Sequence, residues 1–238
     1  MIESIQNLTA RITDILFSEE HRYIMLLNGL KLTVLISLCS VVIGIILGTI
    51  VAIIKVAHQN HQRSVPLKIL NIFATVYVQV IRGTPTVVQL LIMNFIVFAS
   101  SRNPVAVAIL CFGINSGAYV SEIMRAGINA VDYGQTEAGR SLGLSSFETM
   151  KSIVLPQAIK NILPALGNEF IVLLKETSIA GYISIQDLTK AGDLIRYATF
   201  EAFIPLITVA LIYLIMDLGL SKLLTIFERR LAKSDNRH

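Results

Sequence analysis

Charge is what this sequence lacks most. Only 15% of its 238 residues are Asp, Glu, Lys or Arg, and 54% are apolar. Soluble domains carry about a quarter charged residues, and the mean hydropathy here is +0.68. A soluble globular class is set aside in favour of a membrane class. Cysteine is also scarce. Cys39 and Cys111 both lie in apolar runs, where the thiol behaves as a small buried hydrophobe, so neither a disulfide nor a metal centre is expected. The four histidines show no ligand spacing, and His58 and His61 share a short polar loop. No nucleotide-binding glycine loop, second soluble domain or nucleophile–base set is present, which removes an enzyme reading and any cofactor. The net charge of +4 is concentrated beside apolar runs. It therefore speaks to membrane topology and lipid contact before nucleic acid.

Long apolar runs are what the chain does have. About 20 residues cross the hydrocarbon at 1.5 Å each. Five spans are expected, over about 26–57, 66–99, 105–128, 155–183 and 200–227. In the first, Gly44 and Gly48 form a small-xxx-small pair that admits a neighbouring helix closely. The second is interrupted by the stretch IRGTPT at 81–86. Pro85 has no N–H and Gly83 is flexible, so a kink or break is expected there. The stretch 184–198 reads as a polar loop. Ahead of the spans, Ile2, Ile5, Leu8, Ile12, Ile15 and Leu16 recur at helical spacing with polar residues between them. That predicts an amphipathic helix in the membrane interface rather than a cleaved signal. The fold expected is an all-α integral membrane protein of five transmembrane helices. An amphipathic segment, 1–25, precedes a membrane domain, 26–238, whose polar loop covers about 129–155.

Basic residues set the expected orientation. Lys55, Arg63 and Lys68 lie in one loop, Arg125, Arg140, Lys151 and Lys160 around the 129–155 insert, and Lys222, Arg229, Arg230, Lys233 and Arg237 in the tail. With five spans, all three groups fall on one side. The positive-inside rule makes that side cytoplasmic and puts the N-terminus outside.

The insert is the only long polar stretch. Glu137 to Lys151 can form two short helices joined by a turn at Gly143. Ser145 and Glu148 are spaced as a capping box for the second helix, and Pro156 marks the start of the next span. Leu142, Leu144 and Phe147 give the pair an apolar edge on which a soluble partner can push.

These residues also carry a resemblance. Glu137-Ala138-Gly139, then Gly143, then Ile153-x-Leu155-Pro156 resembles the signature loop of ABC importer permeases: Glu-Ala-Ala, three residues, Gly, nine residues, Ile-x-Leu-Pro. Gly139 departs from the usual alanine and weakens the first helix by about 1 kcal/mol. VIRGTPTVVQLL, GAYVSEIMRAGI and LLKETSIAG resemble matching stretches of the polar amino acid uptake permeases, with Glu176 where aspartate is common. The likeness extends over about 28–233. It implies a permease subunit of an ATP-driven importer of polar amino acids in the bacterial cytoplasmic membrane. It also implies a second permease chain, identical or paralogous, a cytoplasmic ATP-binding subunit and an extracytoplasmic binding protein. Coupling to the ATPase then falls on Glu137, Ala138, Gly139, Gly143 and Leu144. The alternative is an ion-gradient-driven secondary amino acid transporter.

Polar groups inside lipid are costly and therefore functional candidates. Glu122 and Arg125 stand one turn apart, and Asn115 lies two turns before Glu122 on about the same face. Asn94 sits within the second span, and Thr84, Thr86 and Gln89 surround its break. Freed backbone groups at a broken helix can bind a carboxylate or ammonium near mid-membrane. Together these residues are the expected site for an amino acid zwitterion, with Glu122 drawing a basic side chain such as that of arginine, lysine or histidine. Arg82 is an outer-gate candidate, and Lys175 with Glu176 reads as a surface ion pair.

Overall fold

In lipid every backbone N–H and C=O must find its partner within the protein, and helices achieve this residue by residue. The computed structural model describes residues 2–17, 21–60 and 63–235, and no strand occurs among them. The helices are α1 (Ile2–Phe17), α2 (Arg22–Asn60), α3 (Val65–Gly83), α4 (Thr86–Ile92), α5 (Pro104–Asn129), α6 (Tyr133–Ser141), α7 (Ser146–Thr149), α8 (Leu155–Glu176), α9 (Leu188–Thr199) and α10 (Phe203–Asp235). Four of them, α2, α3, α5 and α10, are long and apolar enough to cross a membrane. The fourth expected span is α8, whose 22 residues reach about 33 Å and continue through a 3-10 turn, Thr177–Ile183. It carries Lys160, Glu169, Lys175 and Glu176, which keeps it out of the purely apolar class.

The bundle is organised on the α2–α5 pair, its most extensive contact. Small residues make that approach possible. A Cβ on Gly44 would stand 2.8 Å from Ser116 Oγ, and one on Gly48 would stand 2.6 Å from the Val120 side chain. From the facing helix, a Cβ on Gly113 would meet Ile43 at 2.7 Å. The pair noted in the sequence is thus the seam between two spans of one chain. A core of Ile36, Leu90, Phe112, Leu173 and Ala180 fills the space where α2, α4, α5 and α8 converge. By contrast, α3 and α10 present exposed faces, including Phe73, Val80, Leu211 and Ile215, as expected of surfaces against lipid or a second chain.

Two expectations are corrected. The stretch read as a polar loop, 184–198, contains helix α9. Asp187 caps it by accepting from the backbone N–H of Thr189 and Lys190. Leu188, Ala191 and Ile195 then lock into a cluster with Ile15, Leu16, Leu26 and Val209. That cluster also fixes the C-terminal turn of α1, and Arg11 pairs with Glu201. Second, Lys175 pairs with Asp217 across α8 and α10 at 3.0 Å rather than with its neighbour Glu176, because helical neighbours i and i+1 point apart. The helix that carries the first span starts at Arg22, a few residues ahead of its expected start near 26.

Candidate functional site

The break in the second span is built by Pro85. In an unbroken helix, the N–H at position 85 would bond the carbonyl of Ile81; proline has none. Thr84, preceding it, is extended (φ −120°, ψ 146°), the conformation that proline imposes on its predecessor. The side chain of Gln89 repairs the gap. Its Nε2 donates to Ile81 O at 2.7 Å, to Thr84 Oγ1 at 2.8 Å and to Thr84 O at 3.1 Å. Thr84 Oγ1 in turn donates to Val80 O at 2.8 Å. The chain restarts as α4 at Thr86, and Asn94 follows, half-buried, in a π-turn over Met93–Val97.

From α5, Asn115 reaches this break. Its Nδ2 donates to Gln89 Oε1 at 3.0 Å. Asn115 is 1% exposed, and its Oδ1 is buried with no hydrogen-bond partner among the described residues. One residue on, Ser116 donates to Glu169 Oε1 of α8 at 2.8 Å. One turn on, the Tyr119 ring lies under the Arg82 guanidinium, 5.0 Å from carbon to ring centroid. Arg82 and Glu176 are also near enough to act electrostatically on Glu169. Thr84, Gln89 and Asn115 from the expected set therefore meet. Ser116 with Glu169, and Arg82 with Tyr119, form separate contacts on neighbouring faces of α5.

Glu122 is placed elsewhere. Its carboxylate accepts from Lys55 Nζ at 2.7 Å and Arg125 Nη2 at 2.6 Å, tying the end of α2 to α5. Glu169 was not singled out in the sequence. The signal available was an acid in the apolar stretch between Lys160 and Lys175, two turns before Glu176.

At the end of the bundle beyond α5, α6 and α7 form an elbow. Asp132 caps α6 through Gly134 N at 2.8 Å. Gly143 turns the chain with φ +84°, a left-handed conformation that glycine takes without strain. The returning amides bond back: Gly143 N to Arg140 O and Leu144 N to Gly139 O. The capping box is present in full, with Glu148 N donating to Ser145 Oγ and Ser145 N to Glu148 Oε2. Gly139 is buried, and a Cβ there would stand 2.8 Å from Thr149 Cγ2 and 2.9 Å from Ile153 Cδ1. It lets α6 lie flat on the helix that follows. Glu137, Ala138, Leu142 and Phe147 face outward, the last two 81% and 75% exposed. From Ser146 the chain is helical without a gap, through a π-turn at Met150–Val154, into α8.

Residues 40–233 match the family described as the binding-protein-dependent transport system inner membrane component. The chain belongs to that family. The permease is 38% identical over 213 residues to the arginine transport system permease protein ArtQ of Bacillus subtilis, spanning 88% of this chain and 94% of that one. It is 36% identical over 211 residues to the glutamine transport system permease protein GlnP of Escherichia coli K12, spanning 87% and 93%. A solved structure described as an amino acid ABC transporter with histidines superposes with a TM-score of 0.81 at 44% identity, over 90% of the permease and 97% of that chain. The permease is accordingly an ABC transporter subunit of the polar amino acid type and a multi-pass protein of the cytoplasmic membrane.

Proposed function

We propose that this permease carries polar amino acids, basic ones among them, into the cytoplasm with energy from a separate ATP-binding subunit. The observations that support the reading are an unpartnered amide oxygen on Asn115 beside a helix break and a carboxylate, Glu169, held by the next residue of the same helix. Asn115 Oδ1 is free to accept from an ammonium. Glu169, turned toward Ser116, can pair with a cationic side chain, and Arg82 can pair with a substrate carboxylate. Thr84, Thr86, Gln89 and Asn94 line the approach. Relatives that transport glutamine and arginine support amide and cationic substrates alike.

The elbow around Glu137, Ala138, Gly139, Gly143 and Leu144 is the surface that receives the ATPase, and the permease itself hydrolyses nothing. A second permease chain completes the pore, and an extracytoplasmic binding protein delivers substrate. The elbow and the C-terminus face the cytoplasm, with the N-terminus outside, in keeping with the basic residues flanking them. ATP-driven uptake into vesicles holding the whole transporter, with binding protein saturating, tests this. Glu169→Gln is expected to raise KM for arginine by about tenfold, the cost of one lost charge pair, and to leave glutamine within about twofold. Equal arginine uptake by both proteins would overturn it. Uptake by the permease alone under a proton or sodium gradient would favour a secondary transporter.

A further inference from the structure

A groove of about 710 Å³ runs between α2, α5 and α8. Ala52, Ile53, Val56, Met124, Ile159 and Leu163 wall it. Along α8 it extends from Leu155 to Leu166, about 16 Å at 1.5 Å per residue. That is close to half of a hydrocarbon core about 30 Å thick, the depth of one leaflet. At its elbow end it meets a second cavity of about 500 Å³, with Val56, Ile128, Ser146 and Met150 bordering both. This second cavity is polar, lined by Gln59, Asn129, Asp132, Thr136 and Thr149.

The apolar groove suits an acyl chain, and the polar cavity beside it suits a head group. Charge then selects the group. Among the described residues lining either cavity, Asp132 alone carries a formal charge. A purely anionic head group would face a carboxylate with no basic partner, whereas an ammonium finds its counter-charge there.

We infer that the two cavities hold one phospholipid with an ammonium head group. An acyl chain fills the groove, and the head lies beside Asp132 and Thr149. Because Ser146 and Met150 border both cavities, the lipid supports the elbow where it joins the bundle. The site rests on the membrane reading and not on the choice of substrate.

The test is native mass spectrometry of the complete transporter, purified in detergent from membranes containing phosphatidylethanolamine and phosphatidylglycerol. The permease is expected to retain one phosphatidylethanolamine per chain, with a preference of about fivefold over phosphatidylglycerol. Leu163→Trp and Ile159→Trp place bulk in the groove at side chains 38% and 43% exposed. Each should cut retention about fivefold with thermal unfolding unchanged. Asp132→Asn keeps the α6 cap, since asparagine accepts from the same N–H, and should abolish the preference between the two lipids. Absence of retained lipid, equal retention of both lipids by the unaltered protein, or full retention by a folded Leu163→Trp protein would each overturn the inference. So would a crosslink from Ile53→Cys showing the ATPase or a second permease chain seated in the groove. None of these outcomes depends on uptake, so the proposed function is tested separately.

Discussion

Gln89 stands in for the backbone N–H that Pro85 lacks: its side-chain amide takes the Ile81 carbonyl at 2.7 Å. The same side chain accepts from Asn115 at 3.0 Å, so the local repair of one helix is fastened to its neighbour.

Gln89→Leu should therefore do more than remove a polar group. It leaves the Ile81 carbonyl and Asn115 Nδ2 unpaired, at about 1–3 kcal/mol for a buried group. Thermal unfolding in detergent should fall, and uptake should fall with it. Gln89→Glu cannot donate and should fail similarly. Wild-type stability in either variant would mean that the break holds its shape without this side chain.

Glu122→Gln discharges an acid held by two cations. The Lys55 and Glu122 side chains are only 13% and 21% exposed, so a loss of about 2 kcal/mol is expected, below the figure for a fully buried pair. KM for arginine should move less than about twofold, a shift under 0.5 kcal/mol. A tenfold rise would instead seat the substrate cation on Glu122.

The two elbow glycines should respond differently to alanine. Gly143 has φ +84° with nothing within 4 Å of a Cβ, so Gly143→Ala incurs only the left-handed strain, about 1–2 kcal/mol. ATP-driven uptake should drop while the permease still folds, and Gly143→Asn should be milder. In Gly139→Ala, the gain of about 1 kcal/mol in helix propensity meets an overlap with Thr149 and Ile153. Thr149→Ala alongside it should relieve that overlap and restore uptake. Co-purification of the ATPase reads out both cases.

Asp187 gives a pH dependence. It is fully buried, and burial pushes its carboxyl up from the usual 3.8 to about 6, although the amides of Thr189 and Lys190 favour the charged form. The folded protein therefore holds this proton more tightly than the unfolded chain does. Its contribution to stability is largest near pH 4 and is lost as pH rises to about 6. Asp187→Asn keeps a cap on α9. It should flatten that slope and raise stability at pH 7 by about 2 kcal/mol. An unaltered slope between pH 4 and 6 would assign the titration to another group.

What the sequence disclosed followed from how local each signal was. Apolar runs long enough to cross lipid marked α2, α3, α5 and α10, because composition alone decides that property. The elbow was legible down to its capping box, since Ser145 and Glu148 lie within one turn. Pro85 announced the break for the same reason. Helix α9 was missed because it is short and carries Lys190, Asp193 and Arg196, and only tertiary packing of Leu188 and Ile195 makes it a core element. Glu169 and Asn115 acquire meaning only when α8 and α4 are brought against α5. No spacing within one helix encodes that Ser116 will meet an acid 53 residues away.

The unbroken course from Ser146 into α8 places the elbow tip and the Glu169 carboxylate on one shaft, softened at the π-turn over Met150–Val154 and where Pro156 and Pro164 each remove an internal bond. On the proposed coupling, torque applied at Phe147 would shift that carboxylate along with the shaft. The charge that would greet the cargo would then itself be a moving part, and a stroke of the motor would alter its distance from Ser116 without any separate messenger.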